Sequence, residues 1–109
     1  MKGANRPHAT WIATRRPAAP ERLVTRVGVV LAANPTWAEL PVADGLLLAS
    51  ESLLRSVLAE RSRVARDGAL DLLAADACVT WAFEAAADEP SSLAARAAGA
   101  MRRFAEEAR

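Results

Sequence analysis

The segment from Ala69 to Ala87 constrains the fold of this chain more than any other feature. It consists of alanine, leucine and other apolar residues, interrupted by four polar side chains: Asp71, Asp76, Thr80 and Glu84. A helix that is apolar on nearly every side is buried by its neighbours. We therefore expect this segment to form the central helix of the fold, with every other element packed around it.

The composition of the whole chain favours an all-α fold. Alanine, the best helix former, accounts for 27 of the 109 residues, whereas tyrosine is absent and valine and isoleucine are few. Hydrophobic residues make up 52% of the chain. A chain of this length can bury one modest core without disulfides or metals, so we expect a single helical domain.

Apolar periodicity and helix-terminating residues predict four helices, at about 20–33, 42–65, 69–87 and 91–107. Gly68 is expected to end the second helix and Asp67 to cap the third. Thr36 and Glu39 have the spacing of a capping box and predict a single turn between the first two helices. Short connections make successive helices antiparallel, so residues 20–109 should form a small up-and-down bundle of about four helices.

Residues 1–19 lack helical periodicity and are expected to form an irregular, extended and basic arm. Residues 1–35 carry six cations against one acid, whereas residues 36–109 have a net charge of −4. We expect the arm to fold back onto the acidic body or onto a second subunit; contact with nucleic acid or another anion is the weaker alternative. Trp11 and Ile12 would anchor the arm, and His8 would be exposed.

Several kinds of chemistry are excluded by the residues that the chain lacks. It has one histidine, His8, and one cysteine, Cys78, so conventional zinc and di-iron sites cannot be assembled. The glycines are scattered singly and form no phosphate-binding loop. Cys78 lies among apolar residues and is expected to be a core side chain. We assign no catalytic residue, metal or cofactor, leave enzymatic activity open, and favour a non-catalytic role.

One candidate site follows from the spacing of three polar residues within the predicted central helix. Asp76, Thr80 and Glu84 are four residues apart and therefore share one side of the helix. Two carboxylates there could bind a small molecule in a pocket between helices, or act as an acid and a base. Alternatively, the three side chains form the solvated strip of a bundle helix or pair with arginines. The structural interpretation is favoured.

A short resemblance is confined to the same helix. The residues from Leu72 to Glu84 resemble a helix of the trans-isoprenyl diphosphate synthases, in which a Gly-Asp-Ala-Leu-Leu-Thr-Leu-Ala-Phe-Glu pattern occurs. The match covers about a tenth of the chain, and Ala75 stands where that family has glycine. The aspartate-rich motifs of that family are absent and the chain is too short for its fold, so we transfer no activity.

The apolar surface of the predicted helices suggests assembly. One monomer of this size is not expected to cover all of helix 69–87, so we predict a homo-oligomeric or protein-interaction module, with a dimer favoured. The predicted interface anchors are Trp11, Trp37, Trp81 and Leu54. A small-molecule pocket near Asp76 and Glu84 is the alternative function. No signal peptide or membrane-spanning segment is recognisable, so a cytoplasmic location is expected.

Overall fold

The computed structural model describes residues 6–59, 65–88 and 90–108. In these ranges the chain forms five α-helices and no strand, so the predicted all-α fold is confirmed. The helices are α1 (Arg6–Ala13), α2 (Glu21–Ala32), α3 (Val42–Ala59), α4 (Ala65–Ala86) and α5 (Leu93–Glu107). Two short 3-10 helices, Pro35–Glu39 and Pro90–Ser92, precede α3 and α5. None of the helices described is long and apolar enough to span a membrane.

The centre of the molecule is α3, which contacts each of the other four α-helices and the 3-10 helix Pro35–Glu39. Its buried positions are leucines and small residues on several sides of the helix: Ala43, Gly45, Leu46, Leu47, Ala49, Ser50 and Leu53. The expectation that helix 69–87 is surrounded on all sides is wrong. That helix is α4, and it packs along α3 with one side open to solvent.

The orientation of α4 explains this difference. Its buried side consists of Trp81 and small residues: Ala74, Ala75, Cys78, Ala82 and Ala86. Small side chains let two helices approach closely, and the Ser50 hydroxyl of α3 donates a hydrogen bond to the Ala75 carbonyl over 2.9 Å. Leu72 and Leu73 lie outside this buried side and are exposed. The alanine side of α4 therefore packs closely against α3, and Leu72 and Leu73 remain exposed to solvent.

Ion pairs show how α5 runs relative to α3. Arg96 lies 3.5 Å from Asp44, and Arg55 lies 2.8 Å from Glu107, each pair separated by 52 residues in the sequence. A constant separation means that α5 runs parallel to α3. The helix between them in the sequence, α4, runs antiparallel to both, because Ala43 at the start of α3 lies near Ala85 whereas the later Ser50 contacts the earlier Ala75. This direction was predicted for successive helices joined by short connections.

The N-terminal segment departs from the prediction. Residues 6–13 form the helix α1, and they are not extended. Helical spacing brings His8, Trp11 and Ile12 to one side, where His8 and Ile12 are buried against the body. Pro7 is compatible with this helix because it occupies the first turn, where a backbone N–H would have no carbonyl partner within the helix. The expectation that His8 is exposed is therefore wrong as well.

Two predicted helix boundaries also differ from those observed. Gly68 and Asp67 lie inside α4, which begins at Ala65, so Gly68 does not end a helix and Asp67 does not precede one. Residues 60–64, between α3 and α4, lie outside the described ranges. The 3-10 helix begins at Pro35 and makes no capping-box contact. Asn34, which precedes it, instead donates a side-chain hydrogen bond over 2.9 Å to the Val30 carbonyl. This bond gives a backbone carbonyl in the last turn of α2 a hydrogen-bond donor.

Candidate functional site

The predicted strip of Asp76, Thr80 and Glu84 lies on the outward side of α4, and all three residues are exposed. Glu84 accepts a hydrogen bond from Arg15 over 3.3 Å. Eight residues of helix place Asp76 and Glu84 about 12 Å apart along the axis. Two carboxylates at this separation do not converge on one small group, and Asp76 borders a cavity that Glu84 does not line.

That cavity is a groove between α4 and α5, and residues of α3 form its base. Its volume is about 200 Å³. Most of its lining is apolar: Leu54, Leu72, Ala75, Val79 and Phe104, together with Ser50 and Asp76. It exists because α4 and α5 both pack on α3 and make few contacts with each other. We call this feature the α4–α5 groove.

Large apolar side chains at or near the groove are exposed to solvent. Leu72 is 52% exposed, Leu73 is 61% exposed and Met101 is 71% exposed. Met101 precedes Phe104 by three residues, which places both on the same side of α5. We call the groove, together with the exposed side chains of Leu73 on α4 and Met101 on α5, the α4–α5 face.

Two exposed charges near the α4–α5 face lack a counterpart. The Asp76 carboxylate lies at the edge of the groove. Arg102 follows Met101 on α5, and its guanidinium lies 3.8 Å from the position of a Cβ atom on Gly99. Neither Asp76 nor Arg102 makes an ion pair or hydrogen bond with any residue in the ranges that the structure describes. The edge of the groove therefore carries one acid, and the exposed surface of α5 carries one cation.

The other side of α5 is occupied by an ion-pair cluster with α3. Arg103 lies 3.2 Å from Glu51, which also lies 3.6 Å from Arg55, and Arg55 binds Glu107. Burial raises the pKa of Glu51, and the neighbouring Glu107 raises that pKa further. Hydrogen bonds from Arg55 and Glu51 lower the pKa of Glu107. These contacts hold α5 on α3.

Two arginines of the basic N-terminal region contact acids of the body. Arg26 on α2 forms a bidentate pair with Asp71 on α4, at 2.6 Å and 3.3 Å. This contact raises the pKa of Arg26. Arg15 pairs with Glu84 and lies over the Trp11 ring, 4.0 Å from its centre. Of the two, Arg15 belongs to the predicted arm and contacts the body, whereas Arg26 belongs to the bundle itself.

The predicted interface anchors fall in different environments. Trp81 is 7% exposed and belongs to the core, and Trp11 and Trp37 are half-buried against that core. These tryptophans pack elements of one monomer together. Leu54 lines the α4–α5 groove.

The remaining candidate chemistry is limited. Cys78 is buried, and burial raises the pKa of its thiol to about 12, so the side chain is a protonated core residue at neutral pH. Among the described residues there is no group of three or more histidine, cysteine or acidic side chains placed to hold a metal ion.

Sequence reasoning missed the contact between His8 and Gly45. The His8 imidazole is buried against α3, and its Nε2 lies 2.8 Å from the Trp37 carbonyl oxygen. A Cβ atom on Gly45 would overlap the imidazole. The glycine was the available signal, since a glycine inside an otherwise favourable helix often marks a close approach.

Comparison with protein-family models, with curated proteins and with solved structures gives no match for this chain. The short resemblance of Leu72 to Glu84 to a synthase helix thus assigns no family. Any function must be argued from the surface itself.

Proposed function

We propose that the protein is an assembly module that forms a two-fold symmetric homodimer through the α4–α5 face. The observation that carries this proposal is the exposure of Leu72, Leu73 and Met101 beside an apolar groove. Contiguous apolar surface of this kind is characteristic of interaction sites. Fully burying such a side chain contributes roughly 1.5–3 kcal/mol. Between half and about seven-tenths of the surface of these three is still exposed in the monomer, so that fraction of the gain is left for association.

The shape of the face suits a second copy of the same chain. A two-fold interface brings one patch against itself, so the patch must contain both a protrusion and a recess. Met101 protrudes from α5, and the α4–α5 groove beside it is an apolar recess. Methionine is flexible and fills irregular apolar gaps, so Met101 of each subunit can occupy the groove of the other.

The charges near the face become complementary in the same arrangement if the Arg102 side chain turns from Gly99 toward the partner. If Met101 enters the partner's groove, the adjacent Arg102 approaches Asp76 at the edge of that groove. Two-fold symmetry makes this contact twice, and each contact pairs a cation with an acid. Such pairs set the orientation of an interface more than they set its affinity.

Sedimentation equilibrium over a hundredfold range of concentration tests the proposal. We expect a dimer for the native chain and a monomer for the double variant Leu72→Glu/Met101→Glu, because a charge replaces apolar surface on both walls. Val29→Glu is the matched control, since Val29 is 54% exposed on α2 and does not line the groove. A native chain that stays monomeric throughout, or a control that dissociates as readily as the double variant, would refute the proposal.

Charge reversal tests whether the occupant is a second copy in this arrangement. Asp76→Arg and Arg102→Glu should each raise the dimer dissociation constant, and the double variant should bring it back toward the native value. If dimerisation is lost in Leu72→Glu/Met101→Glu but neither reversal changes it, the proposed register is wrong.

The alternative function, a small-molecule site near Asp76 and Glu84, has less support. The groove volume of about 200 Å³ is below the roughly 300–1,000 Å³ typical of ligand pockets. Glu84 does not line it and is engaged by Arg15. The weaker alternative, an anion contact through the basic arm, is less favoured because Arg15 and Arg26 pair with acids of the body.

A further inference from the structure

Met101 is the most exposed of the large apolar side chains that the structure describes. It is 71% exposed and belongs to the α4–α5 face, three residues before Phe104, which lines the groove. A side chain this open leaves its thioether within reach of small solutes. Peroxides oxidise an accessible thioether to a sulfoxide, which is polar where the thioether is apolar. Exposure and chemistry together make Met101 a candidate modification site.

Cys78 does not compete with Met101 for an oxidant. The Cys78 side chain is completely buried, and burial raises the pKa of its thiol to about 12, so the reactive thiolate is scarce at neutral pH. The remaining sulfur atom of the chain belongs to Met1, which lies outside the described residues. Among the residues that the structure describes, Met101 therefore holds the sulfur that a peroxide can reach.

The groove that receives Met101 in the proposed dimer has no free donor for a sulfoxide oxygen. That oxygen is a hydrogen-bond acceptor, and an acceptor buried without a donor is costly. Of the two polar residues that line the groove, Ser50 already donates its hydroxyl hydrogen to the Ala75 carbonyl. The other, Asp76, accepts hydrogen bonds when it is ionised and donates none. The groove therefore accepts the thioether and rejects its oxidised form.

We propose that Met101 is an oxidation site through which hydrogen peroxide, or another peroxide, blocks dimerisation. The inference rests on the proposed function, since it concerns the same face. The Met101 sulfur attacks one peroxide oxygen: an S–O bond forms, the O–O bond breaks, the sulfur loses two electrons and hydrogen peroxide is reduced to water. A dithiol reductase reverses the step, because two thiols supply two electrons, become a disulfide and release the oxygen as water.

Sedimentation equilibrium of the full chain before and after treatment with hydrogen peroxide tests this inference. Trypsin cleaves after Arg96 and Arg102, so mass spectrometry of peptide 97–102 reports oxidation of Met101 separately from that of Met1. Complete oxidation should raise the dimer dissociation constant by about a hundredfold, since the interface holds two sulfoxides and each costs about tenfold. Helical circular dichroism should stay unchanged, because Met101 is not part of the monomer core.

The outcomes separate this inference from the proposed function. An untreated chain that is monomeric at every concentration would refute both. An untreated dimer whose dissociation constant is unchanged after full oxidation of Met101 would overturn the oxidation site and leave the dimer standing. A loss of helical signal that accompanies oxidation of Met101 would show general unfolding and would also overturn it.

Two variants assign the effect to Met101. Met101→Leu conserves apolar volume and cannot be oxidised, so it should form the dimer and keep its dissociation constant in peroxide. Met101→Gln places a polar side chain of similar length there and should weaken the dimer without any oxidant. Peroxide that dissociates Met101→Leu as strongly as the native chain, or a Met101→Gln dimer as tight as the native one, would refute the role of Met101.

The rate of oxidation gives an independent test, because the dimer should protect the thioether that it buries. Far above the dissociation constant, the monomer fraction falls with the square root of the total concentration. With peroxide in constant excess, the initial rate of Met101 oxidation per chain should therefore fall about threefold for each tenfold rise in protein concentration. A rate that does not change while sedimentation shows the dimer forming would place Met101 outside the interface and contradict the proposed block.

Discussion

The contact between His8 and Gly45 shows how one residue can determine whether a segment docks. The imidazole occupies the space that a side chain at position 45 would need. We expect Gly45→Ala to lower the free energy of unfolding by about 1–3 kcal/mol, because a packed ring must move to admit the methyl group. Urea denaturation measures this change, and hydrogen–deuterium exchange of residues 6–15 should show that α1 is the part released.

Gly28→Ala is the matched control for this substitution. Gly28 also lies inside a helix, but nothing lies within 4 Å of a Cβ atom placed there. Alanine should therefore raise stability by about 0.5–1 kcal/mol through its higher helix propensity. Equal effects of the two substitutions would show that the imidazole yields without cost and that Gly45 is not required for docking.

For single residues, the sequence predicted burial correctly where the neighbouring residues in the sequence determine it. Cys78, set among alanine and valine, was expected in the core and is buried. His8 has no comparable local pattern, because the groups that bury it lie 29 and 37 positions away in the sequence, at Trp37 and Gly45. A contact between distant segments is invisible when the chain is read one window at a time.

Between elements, the ion pairs that join helices should differ in strength according to burial and geometry. The pair of Arg26 and Asp71 joins α2 to α4 through two hydrogen bonds, and both side chains are at least two-thirds covered. The pair of Arg15 and Glu84 makes one contact, with Glu84 nearly half exposed. Bidentate and partly desolvated pairs resist screening by water better than exposed ones.

We therefore expect a double-mutant cycle with alanine to give a coupling of about 1 kcal/mol for Arg26 and Asp71. The same cycle for Arg15 and Glu84 should give less than about 0.5 kcal/mol. Chemical denaturation of the four single and two double variants provides both values. The reverse order would mean that geometry and burial do not govern these pairs.

Helix positions followed from the sequence more reliably than helix orientation. In α2 the apolar residues form one side, so both the bounds and the buried residues Val27, Val30 and Leu31 followed from the sequence. In α5 the bounds followed, but Met101 of the expected apolar side is exposed and Ala100 is buried instead.

In α4 apolar residues occur on almost every side, so periodicity could not say whether Leu72 or Ala75 faces the core. Packing against the small residues of α3 places Ala75 in the core and leaves Leu72 exposed. The candidate groove depends on that choice, so the sequence predicted Asp76 and Leu54 separately without showing that they meet.

For the molecule as a whole, the structure separates the elements that stabilise the monomer from the face proposed to join two copies. The helix α1 contacts α3 and the 3-10 helix Pro35–Glu39, whereas the α4–α5 groove is lined by α3, α4 and α5. Removing α1 should therefore affect folding and assembly differently. A chain that lacks residues 1–18 tests this separation.

We expect the shortened chain to lose about 2–4 kcal/mol of its free energy of unfolding, because Ile12 is buried and Trp11 is half-buried in the native chain. It should retain the same dimer dissociation constant, since it keeps every residue of the α4–α5 face. Urea denaturation gives the first quantity, and sedimentation equilibrium on folded protein gives the second. A shortened chain that is folded but monomeric, beside a dimeric native chain, would place α1 in the interface and contradict an assembly based on α4 and α5 alone. An unchanged stability would instead show that α1 covers the core without stabilising it, since its apolar contacts would then only offset the entropy lost in ordering the segment.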